Sequence, residues 1–299
     1  MISDKHVLEM RRQIPRLHVR DIEHRKYHMS TINILFIGDI VGNSGMSAVR
    51  MFLPSLRQKY NLSCIIANGE NAMEGKSISA QQLEELRELG VHVVTSGNHI
   101  WEKWHIHKLL SNEQHLLRPA NYPRENAGHG FTVYPIGAAG SVGVLNIQGR
   151  TFMNAIECPF RTAEWAVERM REQTPVIIVD FHAEATAEKV AMGWFLDGKV
   201  SAVLGTHTHI QTADAKILPE GTGYLTDVGM SGPYDSVLGM RKDIALRRFM
   251  KQTPHKFEMA DSDVHLSVVL LEIDFTTGKT VSIQPMTIPE FSRNGSAAH

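Results

Sequence analysis

From residue 32 onward this chain alternates short apolar runs with amphipathic stretches, and that alternation restricts it to an α/β architecture. The run Ile32-Asn33-Ile34-Leu35-Phe36-Ile37 has the pattern of a buried strand and ends in Gly38-Asp39. Gly42 to Gly45 then lead into apolar residues at helical spacing: Met46, Val49, Phe52, Leu53 and Leu56. A second strand is expected at residues 64–67. Ser79 is expected to cap a helix that carries Leu83, Leu86 and Leu89 and closes at Glu88 and Gly90. Further strands are expected at residues 91–94, 144–147, 176–179, 200–204 and 223–226. The alternating runs 265–275 and 279–288 flank Thr276-Thr277-Gly278 and read as a terminal β-hairpin. The spacing predicts one α/β domain, with a largely parallel sheet early and antiparallel pieces late.

Composition removes several classes. With 299 residues, 42% of them hydrophobic, the chain has enough apolar material for a substantial core. Lys plus Arg number 31 against 32 Asp plus Glu, so no broad basic surface exists to hold long nucleic acid by counterion release. The two cysteines, Cys64 and Cys158, lack C-x-x-C spacing, which excludes a disulfide scaffold and a zinc ribbon. Cys64 reads as a buried strand residue. No apolar run approaches the roughly 20 residues that span a bilayer. A reducing, cytoplasmic setting without a membrane partner is the expectation.

Residues 1–28 are charged and poorly patterned, and seven Lys and Arg against four acids leave no apolar signal-peptide core. They read as an N-terminal extension, open between disordered and helical, with Met29 as a candidate true start and a domain at 29–292. Residues 293–299 read as a flexible tail.

The 16 histidines are the unusual part of the composition, and several fall where open α/β sheets place ligands, just after apolar strands. Asp39 follows the first strand, Glu70 and Asn71 the second, and Asn98 and His99 the third. His182 follows the strand at 176–179, and His207 and His209 the strand at 200–204. Converging on one sheet edge, these carboxylates, amides and imidazoles would repel one another without cations. The mixed oxygen and nitrogen set suits zinc, manganese or iron rather than copper or calcium. Two such ions sharing a carboxylate activate water and hydrolyse phosphate esters. In His207-Thr208-His209, residues two apart on a strand end would point the same way.

Taken singly, Asp39 is an ordinary cap or turn residue and His182 or His99 an ordinary hydrogen-bonded histidine; only the joint set requires metals. His105 and His107 read as solvated or packing residues, and Trp101 and Trp104 as helix-face packing with room to stack a nucleobase. Gly38-x-x-x-Gly42-x-x-Gly45 follows a strand and opens a helix but lacks the Gly-x-Gly-x-x-Gly spacing of a dinucleotide loop. An amidohydrolase barrel would place His-x-His on its first strand, and here it comes late. A regulatory protein with a structural metal site is the third alternative.

In order, Gly38-Asp39, Gly69-Glu70-Asn71, Gly97-Asn98-His99, His182 and Thr206-His207-Thr208-His209 resemble a calcineurin-like metallophosphoesterase. Arg118-Pro119-Ala120-Asn121-Tyr122-Pro123 and Asp227-Val228-Gly229-Met230-Ser231-Gly232-Pro233 resemble its YmdB-like branch, so the likeness covers roughly residues 32 to 288. The wider superfamily has Asp-x-His after the first strand, where this chain has Asp39-Ile40-Val41. The resemblance implies a layered α/β/β/α sandwich with metals at the C-terminal strand ends. It further implies that Asp39, Glu70, Asn71 and His209 hold one transition-metal ion and Glu70, Asn98, His182 and His207 another, with Glu70 as the bridge. The ions would be divalent or trivalent iron, manganese or zinc. His99, left over, would act catalytically near the scissile phosphate, to stabilise charge or to protonate the leaving oxygen. The implied reaction is phosphodiester hydrolysis by a metal-bound hydroxide, with 2′,3′-cyclic nucleotides as substrates. Small phosphomonoesters, or a regulatory role with little turnover, are the alternatives, and similar proteins suggest a homo-oligomer.

Overall fold

The apolar runs are continuous because the central strands are covered on both faces. In the computed structural model, which describes residues 31–137 and 140–291, β1 (Thr31–Ile37) turns Ile34 and Phe36 into a layer between two sheets. Its alternate residues Leu35 and Ile37 face helices. The expected extension 1–28, the start at Met29 and the tail 293–299 lie outside the described residues.

After β1 come β2 (Asp39–Ile40), α1 (Gly42–Tyr60), β3 (Leu62–Asn68), α2 (Ala80–Glu88) and β4 (Val93–Thr95). A short 3₁₀ helix (Asn98–Glu102), α3 (Ile106–Asn112), β5 (Phe131–Pro135), β6 (Ser141–Gln148), α4 (Pro159–Arg171) and β7 (Ile177–His182) follow. The chain continues through α5 (Thr186–Leu196), β8 (Ala202–Thr206), β9 (Lys216–Ile217), β10 (Gly223–Leu225) and β11 (Met230–Pro233). It ends in α6 (Lys242–Lys251), β12 (Val264–Asp274) and β13 (Thr280–Ile288). Ser79 caps α2 as expected, within a reciprocal capping box with Gln82.

One sheet has the order β2-β11-β12-β1-β3-β4, with β13 on β12; the other runs β5-β6-β7-β8-β10-β9. Helices α1, α2 and α3 pack Val49, Leu53, Leu86 and Leu110 on the outer face of the first sheet. Helices α4 and α5 pack Val167, Met170 and Met192 on the outer face of the second. Between the sheets lie Cys64, Ile66, Val144, Ile178, Leu204 and Leu271. The result is the layered α/β/β/α sandwich.

Two expectations need correction, the start of the third strand and the packing of Trp104. Parallel pairing early and antiparallel pairing late hold, distributed over two sheets. The terminal hairpin forms, but β12 inserts antiparallel beside β1, with Ile37 opposite Val268, while β1, β3 and β4 run parallel. The third strand starts at Val93 rather than residue 91, because the Ile65 N–H bonds the His92 ring at 2.9 Å in place of a strand carbonyl. Trp104 is 91% exposed rather than packed. Lys103 leaves the helical conformation (φ −123°, ψ 130°), so Trp101 and Trp104 share no helix face. Among the described residues no helix is long and apolar enough to cross a membrane.

Candidate metal centre

Each candidate ligand is delivered by a strand end, and the backbone there is shaped for it. Asp39 follows Gly38, where a Cβ would sit 1.9 Å from the Gly229 carbonyl oxygen, so only glycine permits the approach. Glu70 and Asn71 follow β3, and the Glu70 N–H is held by Asn68 Oδ1 at 3.1 Å. Asn98 and His99 open the 3₁₀ helix beyond β4. A Cβ on Gly97 would lie 2.2 Å from His182 Cδ2 and 2.5 Å from Glu70 Oε2, so the missing side chain leaves the space these groups use. His182 ends β7, and His207 and His209 follow β8. Asp39, Glu70, Asn71, Asn98 and His99 come from the first sheet, His182, His207 and His209 from the second. The expected convergence on one sheet edge is in fact a meeting of two sheets.

The geometry centres on His182. Its Nδ1–H donates to Thr206 Oγ1 at 2.9 Å, and that hydroxyl donates to Asp180 Oδ1 at 2.7 Å. The network assigns the proton to Nδ1 and leaves Nε2 a bare lone pair. Around Nε2 stand Glu70 Oε1 at 3.0 Å, His207 Nδ1 at 3.0 Å and Asn98 Oδ1 at 3.2 Å. The other nitrogen of His207, Nε2, lies 3.0 Å from Glu184 Oε2, so Nδ1 is its lone-pair atom. With His182 neutral, four electron pairs would meet with no hydrogen among them, an arrangement that calls for a proton or a metal ion between them.

Asp39 and Asn71 extend the set. Asp39 Oδ2 accepts the His207 N–H at 3.0 Å, and its Oδ1, 3.8 Å from His182 Nδ1, is buried without a hydrogen-bond partner among the described residues. Asn71 donates its amide to the Gly75 carbonyl at 2.9 Å, and its buried Oδ1 is likewise unpartnered. His209 Nδ1 donates to the Leu238 carbonyl at 3.2 Å. Glu70, Asn71, His99, His207 and His209 line one cavity of about 300 Å³, while Asp39 and His182 are fully buried. All eight candidate residues therefore belong to one cluster, and its orphaned oxygens and imidazole nitrogens fit transition-metal ions.

Electrostatics carry the same strain. Burial pushes the Asp39 carboxyl well above its usual range, against the pull of His182. Burial also opposes ionisation of Glu70, but His182, with help from His99 and His207, holds it down at about 2. Although burial pulls His182 down, Glu70 and then Asp39 and Asp180 push it up to about 9. Burial and His182 hold His207 down to about 3. In the metal-free protein a proton on His182 thus stands where a metal ion would.

The strand-end argument for His207 and His209 needs correction. β8 stops at Thr206, and both histidines take left-handed backbone, φ 101° and 65°, so pleating does not aim them. Asp227 does: its Oδ2 accepts the Thr208 N–H at 3.0 Å and the Thr208 hydroxyl at 2.8 Å, and its Oδ1 accepts the Gly229 N–H at 2.8 Å. Lys189 of α5 neutralises it at 2.6 Å. Asp180 ties the sheets together below the cluster by accepting from Asn68 at 2.9 Å and Thr95 at 2.5 Å as well as from Thr206. A charged residue inside an apolar strand, two before His182, is the sequence signal for Asp180. Lys189 and Glu184 carry no comparable signal.

A sequence model of the YmdB-like proteins matches residues 35–286. The chain belongs to the YmdB-like family. A Bacillus subtilis (strain 168) member, named a 2′,3′-cyclic-nucleotide 2′-phosphodiesterase, is 44% identical over 86% of this chain and 97% of that protein. A putative phosphatase/phosphodiesterase of Mycoplasma pneumoniae is 34% identical over 88% of this chain and 95% of its own length. Among solved structures, one described as a novel phosphatase of Mycoplasma pneumoniae aligns with TM-score 0.82 and 32% identity, covering 87% of this chain and 94% of that one. A hypothetical protein of Thermus thermophilus aligns with TM-score 0.80 and 39% identity, covering 86% and 98%. The family's fold is the layered one described above, and the centre lies where its two sheets meet.

Proposed function

We propose that this chain is a metal-dependent phosphodiesterase whose substrates are nucleoside 2′,3′-cyclic monophosphates. The observation that carries the reading is the convergence of Glu70, Asn98 and His207 on His182 Nε2, all within 3.0 to 3.2 Å. The name of the Bacillus subtilis relative supports the substrate.

Asp39, Glu70, Asn71 and His209 would hold one ion, and Glu70, Asn98, His182 and His207 a second; both are divalent or trivalent transition metals, iron, manganese or zinc. When bound, such ions supply the Lewis acidity that activates water and offsets charge on the phosphate. The chain's own residues set the conditions. Glu70 is shared between the two groups, and its Oε2 also accepts the His99 N–H at 3.0 Å, which ties the acid candidate to the cluster. Thr206 and Asp180 keep the His182 Nε2 lone pair turned inward. His99, its ring on the cavity wall and its Nδ1 3.5 Å from Glu102 Oε1, gives a proton to the departing sugar oxygen. A positioned acid contributes roughly a hundredfold to ten-thousandfold.

The protein works as a homo-oligomer in the cytoplasm. The exposed Leu246, Phe249 and Met250 on α6 form the kind of apolar surface that subunit contacts cover, and Cys64 and Cys158 are free thiols. Light scattering on the purified protein tests the oligomer.

The deciding experiment for function is a substrate panel of 2′,3′-cyclic and 3′,5′-cyclic nucleotides, a bis-aryl phosphate and simple monoesters, run with elemental analysis. Two metals per chain and preferential turnover of the 2′,3′-cyclic esters are expected. Fast monoester turnover with inert diesters would make it a phosphomonoesterase, and metal binding without turnover would make it regulatory.

A further inference from the structure

The cavity at the candidate centre has a second wall of different chemistry. Beside the ligand candidates it is lined by Val41, Leu238, Phe257 and Met259. Leu238 and Phe257 also border an adjoining apolar cavity of about 440 Å³ next to α6. At 46% and 42% exposure, two large apolar side chains stand in water at the mouth of a site whose other wall is polar.

Their positions are imposed. Leu238 has φ 53°, a left-handed conformation uncommon for a residue with a bulky side chain. Its carbonyl accepts from His209, Val237 and Met240 exchange backbone hydrogen bonds of 2.8 and 3.0 Å around it, and the Gly239 N–H bonds Ser236 Oγ at 2.9 Å. Phe257 and Met259 rest on Gly75, which has φ +80°; a Cβ there would lie 3.0 Å from Met259 Sδ and 3.6 Å from Phe257 Cε1. The chain therefore holds a preformed apolar surface beside the reacting groups, anchored to one of them.

We propose that Leu238 and Phe257 form the seat of the substrate's nucleobase and so set a preference for nucleotide esters over base-free cyclic phosphates. The inference rests on the cyclic-nucleotide reading above. In such a substrate the base is carried on the ribose carbon next to one of the ester carbons, so it must lie close to the phosphate. Its flat π-face gains by leaving water for an apolar and aromatic surface. Lys76, the one lysine or arginine on this cavity's wall among the described residues, is engaged with Glu102 at 3.2 Å, so contact is through the face of the base and discrimination among bases is weak. Trp101 and Trp104, which sequence reasoning left open for stacking, line neither of these two cavities: Trp101 packs on Tyr122, and Trp104 faces solvent.

The test is the ratio of kcat/KM for 2′,3′-cyclic AMP to that for glycerol 1,2-cyclic phosphate, which has the same strained ring and no base. In Phe257→Ala the ratio should fall about tenfold, or about 1.4 kcal/mol, through KM of the nucleotide. Phe257→Tyr should restore it. Saturation-transfer NMR on adenosine alone gives a readout without turnover: transfer is expected in the wild type and lost in Phe257→Ala. Should that variant misfold, Leu238→Ser probes the same seat with the same two measurements. An unchanged ratio, with both esters hydrolysed by the wild type, would overturn the seat and leave the enzymatic reading intact. If the wild type hydrolyses neither ester, both fail.

Discussion

Lys189 Nζ lies 2.6 Å from Asp227 Oδ2, with both side chains withdrawn from solvent, and this pair stands directly under the loop that carries His207 and His209. Removing one partner of a buried pair leaves the other charge uncompensated, at a cost of about 3–5 kcal/mol. Lys189→Met is therefore expected to lower stability by about that much in chemical denaturation. Because Asp227 also holds Thr208, the folded variant should bind less metal at equal free metal concentration. Unaltered metal affinity would confine the pair to a purely structural role.

Glu70→Ala should be the most damaging change among the ligand candidates. It removes the carboxylate that the proposed ligand groups would share and the charge that pushes the His182 imidazole up. Loss of an outer partner of a ligand typically costs 10- to 100-fold in metal affinity or activity, and turnover here should fall by more than about a hundredfold, with metal content dropping in parallel. Elemental analysis and kinetics on the same preparation decide it; a variant that keeps its full metal complement would remove Glu70 from the bridging position.

Glu70, His207 and His182 together favour a stability maximum of the metal-free protein near the ordinary histidine value of 6.5. Asp39 and Asp180 oppose it: their carboxyls, raised by burial, contribute stability that is present below their ordinary 3.8 and lost as pH rises through the raised folded value. Glu70, held down at about 2 against an ordinary 4.5, contributes stability that is present above 4.5 and lost as pH falls towards 2. His207, held down to about 3, stays neutral in the fold while the unfolded chain takes up a proton below 6.5, so acid destabilises through it as well. His182, pushed up to about 9, contributes stability that is complete below 6.5 and lost as pH rises through 9. Denaturation of chelated protein across this range should trace a peak with both limbs. In metal-loaded protein the alkaline limb should flatten, since a metal ion held by His182 would displace the proton that produces it.

His99→Ala should retain metal but lose most turnover on cyclic nucleotides, whose sugar alkoxide leaves reluctantly without a proton. An aryl phosphate releases a stable phenolate, so the loss there should be much smaller, and the difference expressed as free energy measures the acid's share. Equal losses on both substrates would mean that His99 positions the phosphate, and loss of metal would make it a ligand.

A chain beginning at Met29 should keep full turnover and metal content, because every candidate ligand lies at or beyond Asp39. Loss of activity with fold and metals retained would bring the first 28 residues into the site.

Local pattern alone located most of the longer strands and the order in which their polar ends occur, while β2, β5, β9 and β11 lay outside it. Ile34 and Phe36 alternate with Leu35 and Ile37, and since both sets are buried the run reads as a strand without any knowledge of its neighbours. Asp39, Glu70, Asn71, Asn98, His182, His207 and His209 were legible for the same reason, as polar residues abutting apolar runs. Only the tertiary structure decided that these ends belong to two sheets, that β12 sits beside β1, and that His207 and His209 are aimed by left-handed backbone rather than by a strand pleat. Those outcomes depend on partners far apart in the chain: Asp180 meets Asn68 across 112 residues, and Lys189 meets Asp227 across 38. Periodicity reports which face of an element is apolar, whereas the pairing of buried charges is settled only when packing excludes water and each charge must find its counterpart.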